Sequence, residues 1–113
     1  MNKEQLLTAI RSEIKEIEIK ALGSGVYLRF RTLTGRARDA FHAAYATGDK
    51  AASHFEALIV GAAVVDEAGE PMFTPEEIET LRDQDAEALS AIAAAALQVN
   101  KIGVVAEEAA VKN

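Results

Sequence analysis

The residues able to do chemistry are few, and their spacing does not bring them together. Four serines, Ser12, Ser24, Ser53 and Ser90, and two histidines, His42 and His54, form the serine and imidazole inventory. Nucleophilic catalysis requires a nucleophile beside a base. Ser53 and His54 are neighbours in sequence, but on a helix adjacent residues point in different directions. The absence of cysteine removes thiol catalysis, disulfides and thiolate metal sites together. Asp83, Asp85 and Glu87 alternate like the start of a calcium loop. Ala88, however, stands where that loop needs glycine, and Ala94 where it needs its final bidentate acid. Gly23-Ser24-Gly25 is too short for a phosphate-binding fingerprint and precedes a strand instead of a helix. No catalytic, cofactor-binding or metal-ligating set follows from these patterns, and the chain reads as a non-enzyme.

One charge cluster stands apart from an acidic background. The formal net charge is −6, yet Lys20, Arg29, Arg31, Arg36 and Arg38 are set against a single acid, Asp39, within residues 20–39. Tyr27 shares a strand face with Arg29 and Arg31, a combination that suits phosphate contacts with base stacking. It equally suits a protein interface, where Arg and Tyr are enriched anchors. The structural alternative is a solvated strand face whose arginines pair with Glu76, Glu77 or Glu79. That alternative is favoured over nucleic acid, because the net charge repels phosphate.

The elements that hold these residues follow from period and punctuation. A chain of 113 residues, half of them apolar and only 5% aromatic, implies one domain with a core of Ala, Ile, Leu and Val, a composition that favours helices. Nothing approaches the roughly 20 uninterrupted apolar residues of a membrane span. Leu6, Leu7, Ile10 and Ile14 predict a short helix over 3–14 with Asn2 as its cap. Alternation over 16–20, the Gly23-Ser24-Gly25 turn and alternation over 26–31 predict a β-hairpin. Thr34 caps a helix with Ala37, Ala40, Phe41, Ala44 and Tyr45 inward, closed by Gly48. Asp49 caps the next, apolar helix, whose buried face runs through Phe55, Leu58, Ile59, Ala62 and Val65. A turn over 66–69 follows. Thr74, Pro75 and Glu77 then form a capping box, with Phe73 and Ile78 spaced as a hydrophobic staple. Asp85 caps a last helix over 86–101. The expected fold is α+β, mainly α: an N-terminal β-hairpin followed by four packed helices, with a short helix in front. Residues 1–103 form the domain and 104–113 a loose C-terminal tail.

Three segments in order resemble the tail assembly chaperones of long-tailed bacteriophages, the short form of lambda-like siphophages. Residues 25–39 look like the family's strand, Leu-Thr-Gly turn and Arg-Asp helix start. Residues 65–74 are similar to its acidic turn ending in Phe-Thr. Ile78 to Leu81, followed by Ala88, Leu89 and Ile92, looks like its last helices. The resemblance covers about residues 16 to 103. It implies a non-enzymatic protein of the host cell cytoplasm, absent from the mature virion, that binds the tape measure protein, keeps it soluble and promotes tail tube assembly. It also implies a homo-oligomer, and contact with the tail tube protein through a longer frameshifted form. No cofactor is implied.

Such a role requires an exposed apolar surface for a client or a second copy. The candidates are Leu6, Leu7, Ile10 and Ile14, the tail valines Val104 and Val105, and the arginine face with Arg29 and Arg31. Two other readings compete: a small nucleic-acid-binding regulator using the arginine-bearing hairpin, and a structural tail component that stays in the particle.

Overall fold

The computed structural model describes residues 1–102, so the predicted tail, with Val104 and Val105, lies outside the described residues. Alternating side chains over β1 (Ile14–Glu18) and β2 (Tyr27–Arg31) build the expected antiparallel hairpin, with Ile17 opposite Leu28 and Glu16 opposite Arg29. The pleat places Ile17, Leu28 and Phe30 on the face that packs against the helices. The connection is longer than the predicted glycine turn, since a 3₁₀ segment, Lys20–Leu22, precedes Gly23.

Two boundaries differ from the sequence expectation around this hairpin. The first helix, α1 (Lys3–Ala9), stops well before Ile14, which instead begins β1. Ile14 fits the helical spacing, four residues after Ile10, and in the strand it falls on the outward face with Glu16, so the hairpin ladder and not the apolar pattern decides its place. Thr32 enforces the choice. Its amide donates to the Glu13 carbonyl at 2.8 Å, and its hydroxyl accepts from the Glu13 amide at 2.8 Å.

The helices follow as predicted in number and order. Thr34 caps α2 (Gly35–Thr47), accepting from the Ala37 amide at 3.1 Å. Of the predicted inward face only Phe41 is fully buried, and Ala40 is exposed. The central helix, α3 (Ala52–Ala63), packs against α2, against α4 (Ile78–Arg82) and against α5 (Ala86–Val99). Its cap position belongs to Ala51 and not to Asp49. Asp49 is used elsewhere: its carboxylate accepts from the Ala51 amide at 2.8 Å and pairs with Arg82 at 3.1 Å.

The apolar run at the end of α3 hides a strand. Val64–Val65 leaves the helix and forms β3, adding to the free side of β2 with Phe30 opposite Val64 and Arg29 opposite Val65. Helical spacing carries on through Val65, so period alone extends the helix too far; two adjacent β-branched residues before a turn are the signal of the strand. In that turn Asp66 accepts from the Ala68 and Glu70 amides at 2.8 and 3.0 Å, and Gly69 takes a φ of 83°, open to glycine without a Cβ clash. The Glu77 carboxylate then closes onto the Thr74 amide at 2.8 Å, and Pro75–Glu77 leads as a 3₁₀ turn into α4. Asp85 caps α5 through the Ala88 amide at 3.0 Å.

The core lies between the sheet and α3, α4 and α5. Phe30, Ile59, Val60, Val64 and Val65 are its largest fully buried side chains, and no described polar or charged side chain is buried with them. Ala57 and Ala63 on α3, with Ala93 and Ala96 on α5, are buried as well, letting the two helices approach closely.

Candidate partner-binding surface

The first helix has a well-formed start and no floor. Asn2 and Gln5 form a reciprocal capping box, the Gln5 amide donating to the Asn2 side chain at 2.8 Å and the Asn2 amide to the Gln5 side chain at 2.9 Å. None of its residues is buried. Leu6, Leu7 and Ile10 are 48%, 58% and 65% exposed. An apolar stripe of this kind normally faces a core. Here it faces outward, anchored at its base through the Thr32 knot. Ile14 is not on that helix, but it is also largely exposed, lying against the 66–69 turn where its Cδ1 closes over Gly69. Of these four residues, Leu6 and Leu7 therefore lie on α1, Ile10 caps its C-terminal end, and Ile14 starts the neighbouring strand.

The arginine face is built differently from either expectation. Arg29 donates from Nη1 to the Glu67 carbonyl at 2.9 Å, and Arg31 from Nε to the Ala62 carbonyl at 2.8 Å. Ala62 lies in the last turn of α3, where a cation also complements the helix dipole. Neither arginine pairs with Glu76, Glu77 or Glu79: Glu77 is held by its own capping box, and Glu79 pairs with Arg82 at 3.2 Å. Both side chains are half-buried and fasten the sheet to α3 and its following turn. This leaves less of the strand face for phosphate contacts than the sequence alone suggests. The aromatic member, Tyr27, is exposed.

Arg82 is the busiest cation of the described residues. It donates from Nε to the Ser53 hydroxyl at 3.0 Å while its other nitrogens meet Asp49 and Glu79. The Ala51 amide, then Arg82, hold the Asp49 carboxyl below its ordinary pKa; the bond to Asp49 in turn raises that of Arg82. Ser53 is thereby turned to Arg82. The imidazole of His54 lies under Gly48, close enough that a Cβ on Gly48 would fall 2.6 Å from His54 Nε2. His42 is exposed on α2. Serine and histidine are thus not brought together, and among the described residues no cluster of three potential ligands could hold a metal ion. No helix of the described residues is long and apolar enough to cross a membrane.

Sequence reasoning passed over one connecting residue, Asn100. Its side chain accepts from the Leu33 amide at 2.7 Å and donates to the carbonyls of Arg31 and Ala96 at 3.2 and 3.0 Å. It thereby joins the end of α5 to the end of β2. The helix predicted over 86–101 runs through it, whereas Asn100 is the C-cap of α5.

No protein-family model matches the chain, and no curated protein does. Among solved structures, the tail assembly chaperone of bacteriophage HK97 matches with a TM-score of 0.59 at 15% identity, over 86% of this chain and 97% of that one. The chain has the fold of a phage tail assembly chaperone. This chaperone fold is α+β and mainly helical, with the hairpin first and the helices after it, as the sequence predicts.

Proposed function

We propose that this chain is a phage tail assembly chaperone that binds the tape measure protein, keeps it soluble and promotes tail tube assembly, without catalysing a reaction. What supports the reading is the outward apolar stripe of α1 on a body with the fold of the HK97 chaperone. A helix that buries nothing in its own domain offers its face to another apolar segment, which is how amphipathic helices and grooves recognise each other. Leu6, Leu7 and Ile10 form the contact, and Ile14 extends it toward the sheet. Arg29 and Arg31 act from behind, by holding the hairpin from which α1 projects.

On this reading the protein works in the host cell cytoplasm and is left out of the mature virion. It self-associates so that several copies engage one long client, each weak contact gaining from the others. A longer frameshifted form would carry the contact to the tail tube protein. Co-expression with the tape measure protein of the same genome tests the reading. Soluble co-purification is expected; a tape measure that stays insoluble and unbound would overturn it. The rival nucleic-acid reading predicts binding to DNA or RNA that falls steeply with salt, and detection of the chain in purified particles would favour a structural component.

A further inference from the structure

The apolar face predicted for α2 is only partly used by the fold. Of Ala37, Ala40, Phe41 and Ala44, only Phe41 sinks into the core; Ala40 is exposed, and Ala37 and Ala44 are half-buried. The uncovered part of that stripe forms one wall of a groove of about 300 Å³. Phe73 and Ile78, both half-buried, form the opposite wall, and Leu58 and Gly61 of α3 lie between them as its floor. Gly61 lets Ile78 lean over that floor, since a Cβ there would fall 2.9 Å from Ile78 Cδ1. Ligand clefts run from about 300 to 1,000 Å³, so this one admits a few side chains of an apposed helix. Its alanine wall allows that helix to approach closely.

One end of the groove is cationic. Arg31 lines it, its Nε already given to the Ala62 carbonyl, and the first turn of α2 adds Arg36 and Arg38 on either side of Ala37, with no acid in that turn. Among the described residues Arg36 forms no ion pair, and Arg38 meets only Asp39, at 3.8 Å with both side chains exposed. We propose that this groove holds an apolar helix of a partner protein whose last turn carries acidic residues, seated with that turn beside Arg31, Arg36 and Arg38. Side chains at helical spacing on one face of the partner enter between the walls, and its C-terminal carbonyls add partial negative charge at the cationic end. A second copy of this chain suits the groove less. Its free apolar helix, α1, has Glu4 in the first turn and no acid in the last. The groove is separate from the outward stripe of α1, and its occupation does not depend on that stripe.

The probe is a designed helical peptide of leucine, alanine and glutamine with glutamates in its last turn. No tape measure protein enters, so failure here leaves the proposed role of α1 untouched. Binding with methyl shifts at Leu58 and Ile78 is expected. No binding, or shifts confined to Leu6, Leu7 and Ile10, overturns the proposal. So do Leu58 and Ile78 shifts that follow protein concentration without peptide, because a second copy would then be the occupant. Ala40→Glu places an acid in the groove four residues after Arg36 and is expected to weaken binding about tenfold or more; unchanged affinity counts against the groove. Arg36→Glu with Arg38→Glu is expected to weaken the glutamate-ended peptide about tenfold and to favour one ending in lysines. Failure of that reversal overturns the assigned chemistry of the partner. Arg36, Arg38 and Ala40 are all exposed, so these variants keep the fold.

Discussion

Replacing Leu7 and Ile10 together with serine separates binding from folding. Leu7 is 58% and Ile10 65% exposed, so more than half of each side chain is available to a partner. Full burial of a Leu or Ile contributes roughly 1.5–3 kcal/mol. Scaled by the exposed fraction, each residue contributes about 1–2 kcal/mol to a complex that covers α1, and the pair about 2–4 kcal/mol. That corresponds to a loss of about 30- to 1000-fold in Kd. The folded chain should hardly respond. No residue of α1 is buried, and exposed substitutions of this kind usually stay within about 0.5 kcal/mol. Titration of tape measure fragments by calorimetry measures the first quantity, and urea denaturation the second. A Kd changed by less than about threefold, with the fold intact, would remove α1 as the contact. A large drop in the denaturation midpoint would show instead that these side chains pack on the body.

Three other substitutions test the framework behind that surface. Phe30→Ala, at a side chain with no exposure, is expected to cost about 3–5 kcal/mol in urea denaturation. A loss below about 1 kcal/mol would mean that the sheet does not seal the core. Lys101→Gly should raise stability by about 1 kcal/mol, because it relieves a left-handed backbone at a position that favours glycine; a fall in the denaturation midpoint contradicts that geometry. Asp49→Asn should lower the Tm at neutral pH, where the carboxylate bonds the Ala51 amide and Arg82. Since those partners depress the folded pKa, the advantage over the variant is complete above the ordinary carboxylate range. It is lost as pH falls through the depressed value. A Tm difference that widens on acidification would refute the pairing.

The capping signals were the most legible part of the chain. Thr34, Thr74 with Glu77, and Asp85 each begin the helical segment that their side chains predict, because a cap is a local bond between residues three apart. The hairpin was equally readable, its alternation being the imprint of one buried face. The errors fall where a distant partner decides. Ile14 continues the helical spacing from Ile10, yet Thr32 holds Glu13 so that the strand begins there; Val65 continues the helical spacing as well, yet β2 draws it into the sheet. Asp49 looks like a cap until Arg82, 33 residues away, takes its carboxylate. The candidate surface was half legible. Leu6, Leu7 and Ile10 could be recognised as one face, but that the face lacks a floor depends on how every other element packs. Arg29 and Arg31 were visible as charges, while their carbonyl partners, contributed by Ala62 and Glu67, were not.

Because α1 contributes no side chain to the interior, its outward positions are free to change without weakening the body on which it stands. Selection acting on Leu6, Leu7 and Ile10 would answer to the shape of whatever they touch, while selection acting on Phe30 or Val64 answers to folding. Two such independent pressures allow recognition to drift quickly on a scaffold that changes slowly in shape. A helix transplanted from a relative with another client should then carry that preference with it, as a detachable address on a common frame.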